Sequence, residues 1–178
     1  MKSDVIRVTN KGSGFDEAFA QAEAAARFRE LDRNSALHLR LLTEEMMGMM
    51  RALTGEREAD FWIDSTEGDG ALRLHLQVKT LMNAEMRKKL LSASTSGVNA
   101  AASGLAGKLR DLFESAMEPV SQEMAQDLKN GIYSSAEGSR APKEDWDELE
   151  KSVVSNIADD VKISIVNQNV EMIIIKQF

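Results

Sequence analysis

The chain contains no cysteine, and it has only two histidines among its 178 residues. The absence of cysteine excludes disulfides, thiolate catalysis and cysteine-based zinc sites. His38 and His75 are too few for a histidine-rich metal site. No metal centre is therefore predicted.

Long apolar runs are also missing. The first twelve residues (MKSDVIRVTNKG) hold no apolar stretch of the signal-peptide type, and no later stretch is long enough to span a bilayer. Lys and Arg number 22 against 29 Asp and Glu, a net charge of −7, whereas a broad nucleic-acid surface needs an excess of positive charge. We expect a cytoplasmic protein that binds neither membranes nor nucleic acid.

The remaining composition is that of a globular domain. Apolar residues make up 43% of the chain and charged residues 29%, which is ordinary for a folded protein. A length of 178 residues is sufficient to bury one substantial core. The prediction is a single domain over residues 1–178.

Hydrophobic periodicity predicts both helices and strands. Val5 to Thr9 is a strand-like run, and the apolar stripe from Phe15 to Ala26 has helical spacing. A second helix is predicted over 34–54, capped by Asn34 or Ser35. The other predicted elements are strands at 59–64, 71–79, 161–165 and 170–178, helices at 83–91, 105–116, 121–129 and 142–156, and flexible loops at 92–104 and 130–141.

Alternation in the strand at 71–79 indicates a sheet with one covered face and one wet face. Leu72, Leu74, Leu76 and Val78 point one way, and the polar residues between them point the other way. The segment 172–175 is apolar on both faces, which predicts a central or covered strand. The predicted fold class is α/β, more narrowly an α+β two-layer sandwich. It would have a mostly antiparallel or mixed sheet of about five strands, with helices on one face.

The helix at 34–54 is rich in methionine and carries Glu45 and His38 inside its apolar arc. A carboxylate in that position must be paired, hydrogen-bonded, protonated or open to a cleft. Glu45 is therefore either an ion-pair partner at the edge of the core or a ligand-facing group. The methionines, including Met49, either fill the core or line a cofactor or peptide groove.

The element order resembles the GHKL superfamily, which contains histidine-kinase ATPase domains, gyrase-type ATPases and anti-sigma-factor serine kinases. The segment LLTEEMMGMMRAL resembles the helix that carries this family's N-box, a glutamate followed four residues later by a magnesium-binding asparagine. Glu45 matches the glutamate and would be the catalytic residue. Met49 stands at the asparagine position, or Gly48 does if Glu44 is taken instead. Neither side chain can supply the oxygen ligand that Mg²⁺ requires.

The other nucleotide motifs of this family differ in how far they are kept. Thr80 to Asn83 stand where an adenine-reading Asp-x-Gly-x-Gly is expected, and 167–169 replace a Gly-Thr pair. Ser103, Gly104, Gly107 and Lys108 partly match the glycine motif that precedes a helix. The resemblance implies that these four residues, with Glu45 and Met49, would line a nucleotide site. A glycine turn at a helix start can bind phosphate, although small residues there can also form a simple connection.

Other chemistries are disfavoured by the residues themselves. There is no P-loop signature, and no nucleophile elbow accompanies either histidine. Asp60, Asp64, Glu67 and Asp69 do not follow EF-hand spacing and are expected to form a solvated acidic edge.

Three functional hypotheses follow. In the first, the domain has lost or weakened ATP binding and regulates another protein, as anti-sigma-type regulators do. In the second, it is a genuine ATP-binding protein, an ATPase or serine kinase with nonstandard residues, although its magnesium site is lost. In the third, it is an oligomerisation module, for example a homodimer. Loss of the magnesium ligand favours the first and disfavours an enzyme.

Overall fold

The computed structural model describes residues 1–54, 58–66, 68, 70–80, 84–102 and 148–178. Within these ranges the chain forms strands β1 (Ile6–Thr9), β2 (Glu58–Asp64), β3 (Ala71–Lys79), β4 (Asp160–Val166) and β5 (Asn169–Gln177), helices α1 (Phe15–Phe28), α2 (Arg33–Thr54), α3 (Ala84–Leu91) and α4 (Glu148–Ile157), and a 3-10 turn at Ala100–Ala102. The helices predicted at 105–116 and 121–129, the loop at 130–141 and the first residues of the helix at 142–156 lie outside the described residues.

The five strands form one sheet in the order β1-β2-β3-β5-β4, and every ladder is antiparallel. The α+β prediction with about five strands is confirmed. Strand β5 pairs with β3 on one side and β4 on the other, so the predicted central position of 172–175 is also confirmed. The β4–β5 hairpin turns at Asn167, which adopts a left-handed conformation with φ of 55°.

One face of the sheet meets the helices in a single core. The inward side chains of β3, at positions 72, 74, 76 and 78, are all buried, as their alternation predicts. All four helices contribute to the same cluster, with Ala22 from α1, Met46 from α2, Leu90 from α3 and Val154 from α4. The helices therefore form one layer and the sheet the other.

Gly14 allows α1 to start close to β1. Its φ is 81°, in the left-handed region that favours glycine. A Cβ atom there would lie 2.2 Å from the carbonyl oxygen of Arg7. The predicted stripe of α1 is confirmed, because Phe15, Ala18 and Ala22 are buried.

Helix α2 begins one residue earlier than predicted, and its cap is Asp32 rather than Asn34 or Ser35. The Asp32 carboxylate accepts the backbone N–H groups of Asn34 (2.8 Å) and Ser35 (3.1 Å) and the Ser35 hydroxyl (2.8 Å). The hydroxyl bond, followed by the two backbone bonds, lowers the pKa of Asp32. An ionised carboxylate at this end also complements the helix dipole.

The sequence places His38 in the apolar arc of α2, but this arc is not buried along its whole length. His38 is exposed, and the neighbouring Leu37 is 52% exposed. A helical wheel treats all turns alike. The early turns of α2 border a groove against α1, whereas Leu42 and Met46, further along, lie in the core.

The small-residue segment after α3 is tethered to β4 over residues 92–102. The Thr95 N–H donates to the Val161 carbonyl (2.9 Å), and the Thr95 hydroxyl accepts the Val161 N–H (2.8 Å). The Asn99 amide accepts the Ile165 N–H and donates to the Ile165 carbonyl, both at 2.9 Å. These side chains occupy the outer edge of β4. The flexibility predicted for 92–104 stays a prediction.

Candidate functional site

A cavity of about 220 Å³ lies between α2, the 92–95 turn, α4 and the start of β4. Met49 from α2 forms part of its wall and is only 3% exposed. Ala93, Val154 and Val161 add apolar surface, and Asp159 adds a carboxylate. The cavity is therefore mostly apolar, with polar groups contributed by the 92–95 turn, α4 and Asp159.

Three of the polar side chains in this wall are already engaged within the protein. The Ser94 hydroxyl donates to the Leu91 carbonyl (2.8 Å) and accepts the Gly97 N–H (3.1 Å). The Thr95 hydroxyl accepts the Val161 N–H. The Asp159 carboxylate accepts the Gln177 N–H (2.6 Å) and an ammonium hydrogen of Lys176 (3.1 Å). These groups fix the turn, β4 and β5 relative to one another.

Asp159 is the charged group of the cavity. Burial raises its pKa, but the Gln177 N–H and the Lys176 ammonium outweigh that effect, so the pKa of Asp159 lies below its usual value. The carboxylate is therefore negative at neutral pH. No lysine or arginine is among the described residues that line the cavity.

The residues predicted for a nucleotide site have different positions in the structure. Met49 is in the cavity wall. Glu45, one helical turn earlier, is half-buried and makes a polar interaction of its own. Ser103, Gly104, Gly107 and Lys108 lie outside the described residues. The structure thus places Met49 at a cavity and leaves the role of Glu45 a prediction.

A polar cluster on the opposite face of the sheet was not predicted from the sequence. His75 stacks on Trp62 with ring centroids 4.7 Å apart and an interplanar angle of 10°. His75 Nδ1 lies 3.0 Å from Glu171 Oε1 in hydrogen-bond geometry. Its Nε2 lies 3.0 Å from Asp64 Oδ2 but not in hydrogen-bond geometry.

This cluster corrects the expectation that the alternate residues of β3 form a wet face. His75 is only 7% exposed, although Gln77 and Lys79 on the same side are exposed. Trp62 lies directly opposite His75 in the β2–β3 ladder, and cross-strand neighbours of this kind pack on one another. The pairing depends on the strand register, which the alternation within each strand does not fix.

A second concavity, the α1–α2 groove, has a volume of about 420 Å³. It is lined on α1 by Glu23, Ala26 and Arg27, on the connection by Leu31, and on α2 by Arg33, Asn34, Ala36, Leu37 and Arg40. Its volume falls within the range typical of ligand and side-chain pockets.

Comparison with models of known protein families gives no match, and comparison with curated proteins gives none either. In the part of the chain that the structure describes, no helix has the length and apolar character needed to cross a membrane. Over those same residues, no group of three or more His, Asp or Glu side chains is arranged to hold a metal ion.

Proposed function

We propose that this protein is a noncatalytic regulatory module that binds another protein, built on a GHKL-like fold whose nucleotide site has been lost. The observation that carries the proposal is the position of Met49. By the resemblance, its side chain stands where the family places a magnesium-binding asparagine, and it lies in the wall of a cavity. A thioether is a soft ligand, whereas Mg²⁺ takes hard oxygen donors.

The polar wall of the cavity supports the same conclusion. The hydroxyls of Ser94 and Thr95 and the carboxylate of Asp159 hold β4 and β5 in place. A nucleotide that recruited these groups would have to compete with the hydrogen bonds that they already make to the backbone. The described lining also has no cationic side chain for phosphate.

Protein binding is supported by apolar surface on the two N-terminal helices. Leu37 is 52% exposed at the border of the α1–α2 groove, where Ala26, Leu31 and Ala36 form further apolar lining. A contiguous apolar concavity rimmed by polar residues is typical of an interaction site. The groove therefore provides a surface through which a regulator could act.

Titration calorimetry with ATP and ADP, with and without Mg²⁺, tests the loss of nucleotide binding. We expect no measurable heat at millimolar nucleotide. Micromolar binding of Mg·ATP that disappears in Glu45→Ala would overturn the proposal and favour the alternative, a genuine ATP-binding protein with nonstandard residues.

The second part of the proposal, binding to another protein, needs a separate measurement. The full chain, immobilised and exposed to native lysate, is expected to retain one partner in stoichiometric amount, quantified as a complex of defined mass by light scattering. Only substoichiometric proteins, together with a concentration-dependent mass of the chain alone, would favour the oligomerisation alternative instead.

A further inference from the structure

The charges around the α1–α2 groove are opposite in sign to the chain as a whole. Three arginines and one glutamate line the groove, a net charge of +2, whereas the whole protein carries −7. An opposing local charge of this kind attracts acidic groups. Glu44 outside the lining balances Arg40, and the Asp32 carboxylate lies at the same helix end, so the positive charge open to a ligand is that of Arg33 and Arg27.

The three arginines differ in the ion pairs that they make within the protein. Arg40 contacts Glu23 at 2.6 Å and Glu44 at 3.1 Å, and its guanidinium lies 5.6 Å from the Phe19 ring centroid. Arg27 lies 4.0 Å from the same Glu23 carboxylate. Arg33 is exposed at the first turn of α2 and makes no ion pair with any residue that the structure describes. Arg33 and Arg27 thus retain donor capacity for an incoming carboxylate.

The apolar part of the groove suits a bulky side chain. Ala26 and Ala36 are small residues facing the groove from opposite helices, and Leu31 and Leu37 complete the apolar lining. Leu37 gains the most from being covered, because about half of its surface is in water. A ligand that combines an apolar side chain with flanking carboxylates would satisfy both parts of the lining.

We propose that the α1–α2 groove binds an acidic, leucine-bearing amphipathic segment of a different protein. The apolar side chain of that segment lies between Ala26, Ala36 and Leu37, and its carboxylates pair with Arg33 and Arg27. Helix-in-groove recognition of this kind uses apolar anchors at i, i+3 and i+4. The inference rests on the proposed regulatory function, because it names the surface and the chemistry of the partner.

Labelled synthetic peptides provide the test. The probe is an amphipathic peptide with leucines at helical spacing and glutamates on both flanks. One comparison peptide has lysines in place of the glutamates, and another has serines in place of the leucines. Fluorescence anisotropy with the full chain is expected to show binding of the leucine–glutamate peptide only, weakened at 0.5 M salt because the pairs are exposed.

Variants then locate the site. Arg33→Glu and Leu37→Ala are each expected to weaken binding about tenfold, as expected for loss of an interaction of about 1.4 kcal/mol. Lys11→Glu, which makes the same charge change at an exposed position in the 9–14 turn, should stay within about twofold. Both groove residues are exposed, so unchanged circular dichroism is expected and would separate lost binding from lost folding.

Several results would overturn the inference. These are no peptide binding at millimolar concentration, equal binding of the lysine peptide, or equal losses in Arg33→Glu and Lys11→Glu. Concentration-dependent dimerisation abolished by Arg33→Glu would identify a second copy as the occupant. Displacement of the peptide by sodium dodecanoate at equal affinity would identify a fatty carboxylate as the occupant.

The proposed function and the proposed groove ligand can be contradicted by different results. Mg·ATP binding would overturn the proposed function whatever the peptides do, whereas a natural partner that binds wild type and Arg33→Glu equally would overturn only the groove.

Discussion

His75 lies on the sheet face away from the helices, yet its side chain is almost fully buried. Its neighbours Leu74 and Leu76 point into the core, so strand alternation directs His75 outward. The Trp62 ring covers one face of the imidazole, and Glu171 and Asp64 approach its two nitrogens. Because the Glu171 carboxylate can only accept, Nδ1 donates in this arrangement.

Replacement of His75 tests whether this cluster stabilises the sheet. His75→Ala removes the stacking partner of Trp62 and the donor to Glu171, so we expect the free energy of unfolding to fall by roughly 1–3 kcal/mol. Urea unfolding measures the change. The matched control is Gln77→Ala, an exposed residue on the same side of the same strand, with an expected change within about 0.5 kcal/mol. Equal losses in the two variants would show that the cluster has no special role.

The residue-level interpretation of α2 was only partly accessible from the sequence. Periodicity placed Met46, Met49 and Met50 on the helical face of Leu39 and Leu42, and all three are buried, whereas Met47, which is also buried, lies off that face. The family resemblance directed attention to Met49, which the structure places at a cavity. The partner of a half-buried group such as Glu45 depends on which distant residue packs beside it, and a single helix does not encode that neighbour.

At the level of elements, helix α2 serves two environments along its 22 residues. Its later turns place Met46 and Met50 in the core, fully buried. Its early turns lie against α1, and the space between the two helices is the α1–α2 groove. One amphipathic helix thereby combines later turns that are buried in the core with early turns that border a groove.

Among the described residues, the outer edge of β4 is covered by Thr95 and Asn99 rather than by another strand. Exposed edges invite pairing with other chains. The Asn99 amide supplies one donor and one acceptor to Ile165, as a neighbouring strand would. Asn99 is itself buried, so this interaction is shielded from water.

Asn99→Ala is expected to lower the free energy of unfolding by roughly 2–4 kcal/mol, because two buried backbone groups lose their partners. Urea unfolding gives the energy, and hydrogen exchange of the Ile165 amide reports the local opening. Ser96→Ala, an exposed change in the same turn, serves as the control. Slow exchange retained at Ile165 in Asn99→Ala would contradict the assigned role of the amide.

At the level of the whole molecule, Asp159 joins elements that are distant in sequence. It follows α4, begins the approach to β4, and bonds to Gln177 and Lys176 at the end of β5. It also lines the cavity that Met49 borders. Its carboxylate therefore links the helical layer, the sheet and the cavity through one charged group.

This link predicts an acid-dependent part of stability. Because the pKa of Asp159 is lower in the folded protein than its usual value of 3.8, its contribution is complete above that pH and is lost as the pH falls through the folded-state pKa. Asp159→Asn should lose roughly 1 kcal/mol at pH 7, a figure reduced for the exposure of the side chain. The difference from wild type should shrink below pH 3.8.

Urea midpoints at pH 7, 5 and 3 for the two proteins measure this effect. Asp160→Asn, which removes a carboxylate 3.6 Å from the exposed Lys162, is the matched control and should change stability little at any pH. A pH-independent difference between Asp159→Asn and wild type would show that packing, not charge, explains the effect.

The sequence by itself determined the order of the described elements, the composition of the core face and the central position of β5. Each of these depends on spacing within one segment, and helical and strand periods are local properties. The α2 cap was within three residues of its predicted position. It was misassigned because Asp32, Asn34 and Ser35 are all good cap residues.

Tertiary structure decided which polar groups meet. His75 and Glu171 are 96 residues apart in the chain, and Asn99 and Ile165 are 66 apart. Their contacts depend on sheet register and on the path of a loop across an edge strand, and no local pattern contains that information. The α1–α2 groove has the same origin, because it is a property of two helices packed together rather than of either helix alone.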